Sequence, residues 1–232
     1  MHESRRAELA LAVERVQAQI AAACAASGRD RDSLRLIAVS KLKPASDIRL
    51  VYELGVRDFG ENYVQELTRK QTELRDLEDL RWHLIGPLQR NKVKQLVGSP
   101  PLIHTLDNER LGDEIERRFG EAGKKCGVLV EVNLGDETQK AGCAVDALPG
   151  LLARAKAWEH VDVRGLMAIP PVTEDPEASR VHFRRLRELR GDYGSPGFEL
   201  SMGMSHDFVQ AIGEGATLIR VGTAIFGARA GL

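Results

Sequence analysis

Lys41 ends a run beginning at Leu34 that is apolar almost throughout, and Pro44 follows three residues later. A strand apolar on both faces is a parallel strand inside an α/β fold, and such folds bind ligands at the carboxyl edge of the sheet, where this lysine falls. Strand alternation sets Ile37, Val39 and Lys41 on one face. Partial desolvation there lowers the pKa of an amine and makes it a candidate Schiff-base nucleophile. A lone lysine at a strand end also snorkels into solvent with no chemistry attached, so the weight of this reading lies with what else the chain brings to the same edge.

Two late segments bring the parts of an anion site. In (β/α)₈ barrels the loops after strands seven and eight commonly hold a phosphate on backbone N–H groups and a short helix N-terminus. Ser201-Met202-Gly203-Met204-Ser205 follows one apolar run. There Gly203 permits close backbone approach, both serines offer hydroxyls, and Ser205 is placed to cap the next helix. Arg220-Val221-Gly222-Thr223 closes the last run, with an amide from Gly222 and a hydroxyl from Thr223 for the same anion. Either loop alone reads as ordinary turn and cap residues; together, opposite a lysine, they suggest pyridoxal 5′-phosphate, whose aldehyde condenses with an amine while its phosphate anchors the far end. Arg220 is placed to meet the pyridine nitrogen, where a permanent cation opposes ring protonation and weakens the electron sink. An interior ion pair is the alternative for it.

Eight β-rich runs position these residues: Leu34 to Lys41, Val56 to Gly60, Trp82 to Gly86, Leu102 to Leu106, Gly127 to Leu134, Val161 to Ile169, Phe198 to Met202 and Thr217 to Gly222. Helical periodicity fills the intervals, over Glu61 to Leu80, Pro87 to Val97, Asn108 to Phe119, Asp146 to Glu159, Asp175 to Arg190 and Ser205 to Ile212, with Pro44 opening a helix that turns Ile48 and Val51 inward. An N-terminal helix, about residues 3 to 27, carries Leu9, Val13, Val16 and Ile20 on one face and closes at Ser27-Gly28. Strict alternation of eight strands with helices predicts a single (β/α)₈ TIM barrel spanning 1–232, with a doubly wound open sheet as the alternative. Pro170-Pro171 and Pro176 read as a βα loop on the ligand face.

Composition narrows the class. At 232 residues with 43% hydrophobic content the chain can bury a substantial core. A formal net charge of -1 gives no global field toward nucleic acid or an anionic membrane. Cys24, Cys126 and Cys143 are odd in number and far apart, which suits free thiols in a reducing compartment and argues against a disulfide framework or a structural zinc site. The charged N-terminus, with Glu3, Arg5, Arg6 and Glu8, has no signal core, and no stretch reads as a membrane span. A cytoplasmic monomer with a small partner is expected, and no metal.

The segments LIAVSKLKPASDI, FGENYVQE, WHLIGPLQRNK, GLMAIPP, ELSMGMSHDF and LIRVGTAIFGAR resemble, in order and spacing, the pyridoxal phosphate homeostasis protein family over nearly the whole chain. That family looks like the barrel domain of alanine racemase standing alone. The resemblance implies that Lys41 bears the cofactor, that Ser201, Gly222 and Thr223 hold the phosphate, that Arg220 faces the ring nitrogen, and that Asn62, His83 and Met167 line the pocket. Lys140 sits where family members tend to carry a lysine, and its role stays open. Without the resemblance, His83, Asn62 and Asn133 read equally as satisfied core polar groups, and Arg90, Asn91, Lys92 and Lys94 as a solvated helix face.

The function this implies is to bind, buffer and supply pyridoxal phosphate, with apo pyridoxal phosphate enzymes as partners and no dedicated turnover. One rival is a pyridoxal phosphate racemase. It needs a second base on the opposite face of the substrate, whereas Tyr52, Tyr63 and Tyr193 fall in predicted helices or loops and the sequence ends ten residues after Gly222. The other rival is a Schiff-base aldolase acting on a phosphorylated sugar, which would be colourless where a cofactor protein is yellow. Lys43 is expected to point away from the barrel interior, because Pro44 forces it into an extended conformation.

Overall fold

The computed structural model describes residues 2–135, 141–171, 173–195 and 197–228. Its strands are β1 (Arg35–Val39), β2 (Asp58–Glu61), β3 (Arg81–Leu84), β4 (Leu102–Leu106), β5 (Cys126–Asn133), β6 (Cys143–Ala144), β7 (Val161–Met167), β8 (Glu199–Met204) and β9 (Leu218–Val221). Eight of them pair in parallel in the order β4-β3-β2-β1-β9-β8-β7-β5, and β4 pairs with β5 to close the ring. The barrel expected from the alternation is therefore the fold. The two-residue β6, which the sequence reading did not anticipate, pairs with the end of β5.

Between strands run α2 (Ala45–Glu53), α3 (Val64–Glu73), α4 (Glu109–Glu121), α5 (Leu148–Ala155), α6 (Arg180–Tyr193), α7 (Phe208–Gly213) and the single turn α8 (Thr223–Phe226). Several are shorter than the periodicity suggested, and the connection after β3 is a 3₁₀ turn, Arg90–Gln95, where an α-helix was expected. The cause is local. Within it only Val93 buries, followed by Leu96 at its end, too few apolar contacts to hold a longer α-helix against the barrel.

Both faces of the strands are used. Leu36, Ala38, Ile219 and Val221 point outward into the core shared with the helices, while Ile37, Leu129, Met167 and Leu218 form a small apolar plug inside the barrel. The alternation that sets Ile37 inward carries on to Val39 and Lys41 at the upper rim, and on β9 from Leu218 to Arg220. Helix α1 (His2–Ala26) buries Leu9, Val13, Val16 and Ile20 against α2, α7 and α8. By length and composition it is apolar enough to cross a membrane, but this buried stripe is that of a helix packed on the barrel. It stops where Gly28 takes φ +64 and Arg29 N–H donates to the carbonyl of Cys24 at 2.9 Å, a left-handed closure that glycine adopts without a Cβ penalty.

Candidate functional site

The β1 ladder runs one residue past the strand, with Ser40 N–H donating to the Gly60 carbonyl at 3.0 Å. The chain then turns tightly, and Leu42 takes φ 61, a left-handed conformation unusual for leucine. A non-glycine residue held there costs about 1–3 kcal/mol and persists only where its surroundings over-determine it. Those surroundings are a buried ion cluster. Lys70 on α3 is fully buried, and its ammonium donates to the carbonyl of Ser40 (2.8 Å), to Oε1 of Glu61 (2.7 Å) and to Oε1 of Glu66 (2.8 Å). The Ser40 hydroxyl donates to Glu61 at 2.6 Å, and Leu42 N–H donates to Glu66 at 2.8 Å. The residues on both sides of Lys41 are thereby gripped. Burial holds the Glu61 carboxyl above its ordinary pKa, against the pull of the Lys70 charge.

Lys41 faces a cleft of about 300 Å³ at the carboxyl ends of the strands, at the lower end of the range for small-ligand sites. Val39, Asn62, Ile85 and Ile169 share its walls, and Ser205, Arg220, Gly222 and Thr223 line the rest with Met204, His206 and Phe226. A wider depression of about 610 Å³ lies between Leu88, Arg90 and the start of α4; no lysine lines it, and its polar residues are mostly exposed surface side chains.

Arg220 is 3% exposed and forms part of the cleft floor. Its Nη1 donates to Ser201 Oγ at 2.6 Å and its Nη2 to the Ala168 carbonyl at 3.0 Å. Burial lowers its pKa to about 10, which leaves it cationic at neutral pH. Burial likewise raises Glu131, inside the same barrel, to about 7, with the Arg220 charge opposing the rise. On the far side of the cleft the N–H groups of Gly222 and Ala224 converge on one oxygen, Ser205 Oγ, at 3.2 and 3.4 Å. Two amides aimed at a single oxygen at the start of a helical turn can hold an oxygen of an anion in the same way. An amine, a buried cation and a pair of convergent amides around a small, partly apolar cleft fit pyridoxal phosphate.

The expected site residues are divided by the structure. Lys41, Asn62, Arg220, Gly222 and Thr223 meet at the cleft. Ser201 does not reach it: the side chain is fully buried, with its hydroxyl between Arg220 and His104, so it supports the arginine instead of facing a phosphate. Gly203, at φ +91, would place a Cβ 2.5 Å from that of Ala211; its close approach is to α7, and it is not among the residues lining the cleft. His83 and Met167 are buried deeper in the barrel, the first bonded to Asp58 and His104, the second in the apolar plug. Ser205 caps no part of α7; it bridges to the start of α8. Lys43 shares the cleft wall after all, because its amine folds back to the carbonyls of Phe226 and Ala228 at 3.1 and 3.2 Å, the cation finding the carboxyl end of a helical turn. Lys140 lies outside the described residues. The sequence reading missed the Glu61–Glu66–Lys70 cluster, since Glu66 and Lys70 at i,i+4 read as a surface pair.

Fold and site together define a closed parallel barrel that presents a strand-one lysine, a last-strand arginine and an amide cradle to one cleft. The family model for the alanine racemase N-terminal domain matches residues 13–230. The pyridoxal phosphate homeostasis protein of Aquifex aeolicus (strain VF5) is 46% identical over 221 residues, covering 94% of this chain and 96% of the relative. PipY of Synechococcus elongatus PCC7942, in its structure with PLP bound, is 40% identical with a TM-score of 0.79, covering 90% of this chain and all of the other. An alanine racemase from Clostridium difficile 630 shares the fold alone, at 12% identity and a TM-score of 0.74, covering 97% of this chain and 60% of the racemase. The chain belongs to the pyridoxal phosphate homeostasis protein family, within the alanine racemase N-terminal domain fold.

Proposed function

We propose that the protein binds pyridoxal 5′-phosphate in this cleft and holds, buffers and supplies it, without a dedicated turnover of its own. The observation that carries the reading is the gripped turn of Lys41 facing one cleft with Arg220 and the amides of Gly222 and Ala224. The cofactor would supply an aldehyde carbon able to condense with an amine, the carbonyl oxygen leaving as water. Lys41 is the amine in this reading. Ser205, Thr223 and the convergent amides take the phosphate, with Ser205 in the place first expected of Ser201. Asn62 would stand beside the ring, and Arg220, a permanent cation and donor, would hold the ring nitrogen unprotonated and the cofactor a poor electron sink. The name of the Aquifex relative and the bound PLP of PipY support the same cofactor here.

None of the three tyrosines lines the cleft; Tyr52 donates its hydroxyl to Asp79 on the outer surface. A cytoplasmic setting suits the three buried free thiols. A monomer that supplies the cofactor to apo pyridoxal phosphate enzymes completes the proposal. Borohydride reduction of the yellow holoprotein followed by peptide mapping should place the pyridoxyl label on Lys41; a label mainly on Lys43 or Lys140 overturns the assignment. With L-alanine in deuterated water, α-proton exchange at or above about 1 s⁻¹, the low end of ordinary enzyme rates, would replace the carrier by a racemase.

A further inference from the structure

A file of polar side chains crosses the barrel interior from its amino end to the floor of the cleft. Asp58 Oδ1 lies 2.9 Å from His83 Nε2, His83 Nδ1 lies 2.9 Å from His104 Nε2, and His104 Nδ1 lies 2.9 Å from Ser201 Oγ, which accepts from Arg220 Nη1 at 2.6 Å. All five side chains are buried, the two histidines at 1% exposure or less. We propose that Asp58, His83, His104 and Ser201 are positioning residues for Arg220: a hydrogen-bond chain of one polarity that fixes its guanidinium at the cleft floor. The proposal rests on the reading of that cleft as the cofactor site.

The polarity follows from the two ends. A guanidinium only donates and a carboxylate only accepts. Since Arg220 donates to Ser201 Oγ, the serine proton turns to His104 Nδ1, the acceptor on its other side. His104 then carries its proton on Nε2 and donates to His83 Nδ1, and His83 donates from Nε2 to Asp58. The opposite order would set the bare Nε2 of His83 against a carboxylate and leave the serine proton without its acceptor. Each member is satisfied in the first order only, and a fully satisfied buried chain is rigid where a half-satisfied one is not.

The charges agree with this order. Burial lowers the pKa of His83, against the pull of Asp58, and lowers that of His104 well below the ordinary histidine value, so both are neutral at pH 7. Burial alone would raise Asp58, but the bonds from His83 and Arg81 outweigh it and keep the carboxylate charged. Arg81 donates to both of its oxygens, at 3.0 and 2.7 Å, and Arg35, paired with Glu199, stands 3.7 Å away. The negative end is therefore anchored by arginines at the base of the barrel while the positive end faces the cleft.

The test has two arms. Nitrogen-15 spectra of the protein without cofactor should show both His83 and His104 as neutral Nε2–H tautomers at pH 7; a proton on Nδ1 of either, or a charged ring, overturns the chain whatever the cleft binds. In the holoprotein, Ser201→Ala and His104→Leu should alter the nitrogen-15 signal of labelled cofactor ring nitrogen and weaken pyridoxal phosphate binding roughly tenfold, while the affinity for inorganic phosphate stays within about twofold because its cradle is separate. His104→Gln, whose amide can accept from Ser201 and donate to His83, should restore the ring-nitrogen signal. Correct tautomers with an unaltered ring-nitrogen signal in both disruptive variants would reduce the chain to a structural role and overturn the proposal. A wild-type protein that binds no pyridoxal phosphate would remove the functional reading together with any positioning role, even with the tautomers as stated.

Discussion

Replacing Lys70 by methionine tests the grip on the Lys41 turn. The substitution keeps an unbranched side chain one atom shorter and deletes three hydrogen bonds, to the Ser40 carbonyl and to Glu61 and Glu66. Glu61 would then be a fully buried carboxylate with the Ser40 hydroxyl as its donor, and its Oε2 already has no partner among the described residues. Breaking a buried pair from one side costs about 3–5 kcal/mol, because the remaining charge stays desolvated. With a urea m-value near 2 kcal/mol/M, that moves the denaturation midpoint down by about 2 M. The fluorescence of Trp82 and Trp158, half-buried and buried respectively, reports it. The sign of the pH dependence is set by Glu61, whose folded pKa lies above its ordinary 4.5 because of burial. A group raised on folding stabilises below its unfolded pKa and loses that contribution as pH rises through the folded value. Without Lys70 the folded value climbs further, so the loss in Lys70→Met must be smallest in acid and grow as the pH rises. Adding Glu61→Gln removes the stranded charge and should return most of the stability. A loss below about 1 kcal/mol, a loss independent of pH, or no return in the double variant would refute the argument. In the same variant, the yield of reduced pyridoxyl label on Lys41 should fall, since Leu42 loses the support for its left-handed backbone.

Ser205→Ala or Thr223→Ala should each lower pyridoxal phosphate affinity roughly ten- to a hundredfold by loss of a charge-assisted hydrogen bond; equal losses for unphosphorylated pyridoxal in equilibrium titrations would show that these residues do not hold the phosphate. Gly86→Ala places a Cβ 2.3 Å from the backbone oxygen of Asn62, so about 1–3 kcal/mol of stability should be lost to overpacking and cofactor affinity should drop with the displaced cleft wall, both read by denaturation and titration. Glu131, raised by burial to about 7 from 4.5, stabilises below the lower value and loses that contribution as pH rises through the upper one. Wild-type stability should therefore carry a downward component of up to roughly 1.4 kcal/mol per pH unit between them, and Glu131→Gln should remove it; denaturation midpoints across that window with equal slopes in both proteins would count against the assignment.

Where the sequence was legible, periodicity carried the information. Strict alternation of eight β-rich runs with helices points to a parallel sheet covered on both sides, closed or open, and the pairing of β4 with β5 makes it the barrel. Alternation along a single strand then determines that Lys41 shares the face of Ile37 and Val39, and that Arg220 shares the face of Leu218, because the side-chain period of two is local. These two residues needed no tertiary structure to be chosen. Their partners did. The register of β8 against β9 shifts between Ser201 and Met204, three residues on one strand spanning two on the other. That irregularity leaves Ser201 one layer below the cleft and delivers Ser205 to Gly222, an outcome no local pattern encodes. His83 falls at a strand end in the sequence, yet the stagger of the closed barrel sinks it beneath the floor, beside His104 from β4 and within reach of Asp58 from β2. Lys70 is the plainest case: on an isolated helix it pairs with Glu66 in solvent, and only the packing of α3 over the ends of β1 and β2 desolvates it and turns a weak surface pair into the clamp on the Lys41 turn. Burial and inter-strand register depend on every element closing at once, and so the tertiary structure alone decided them.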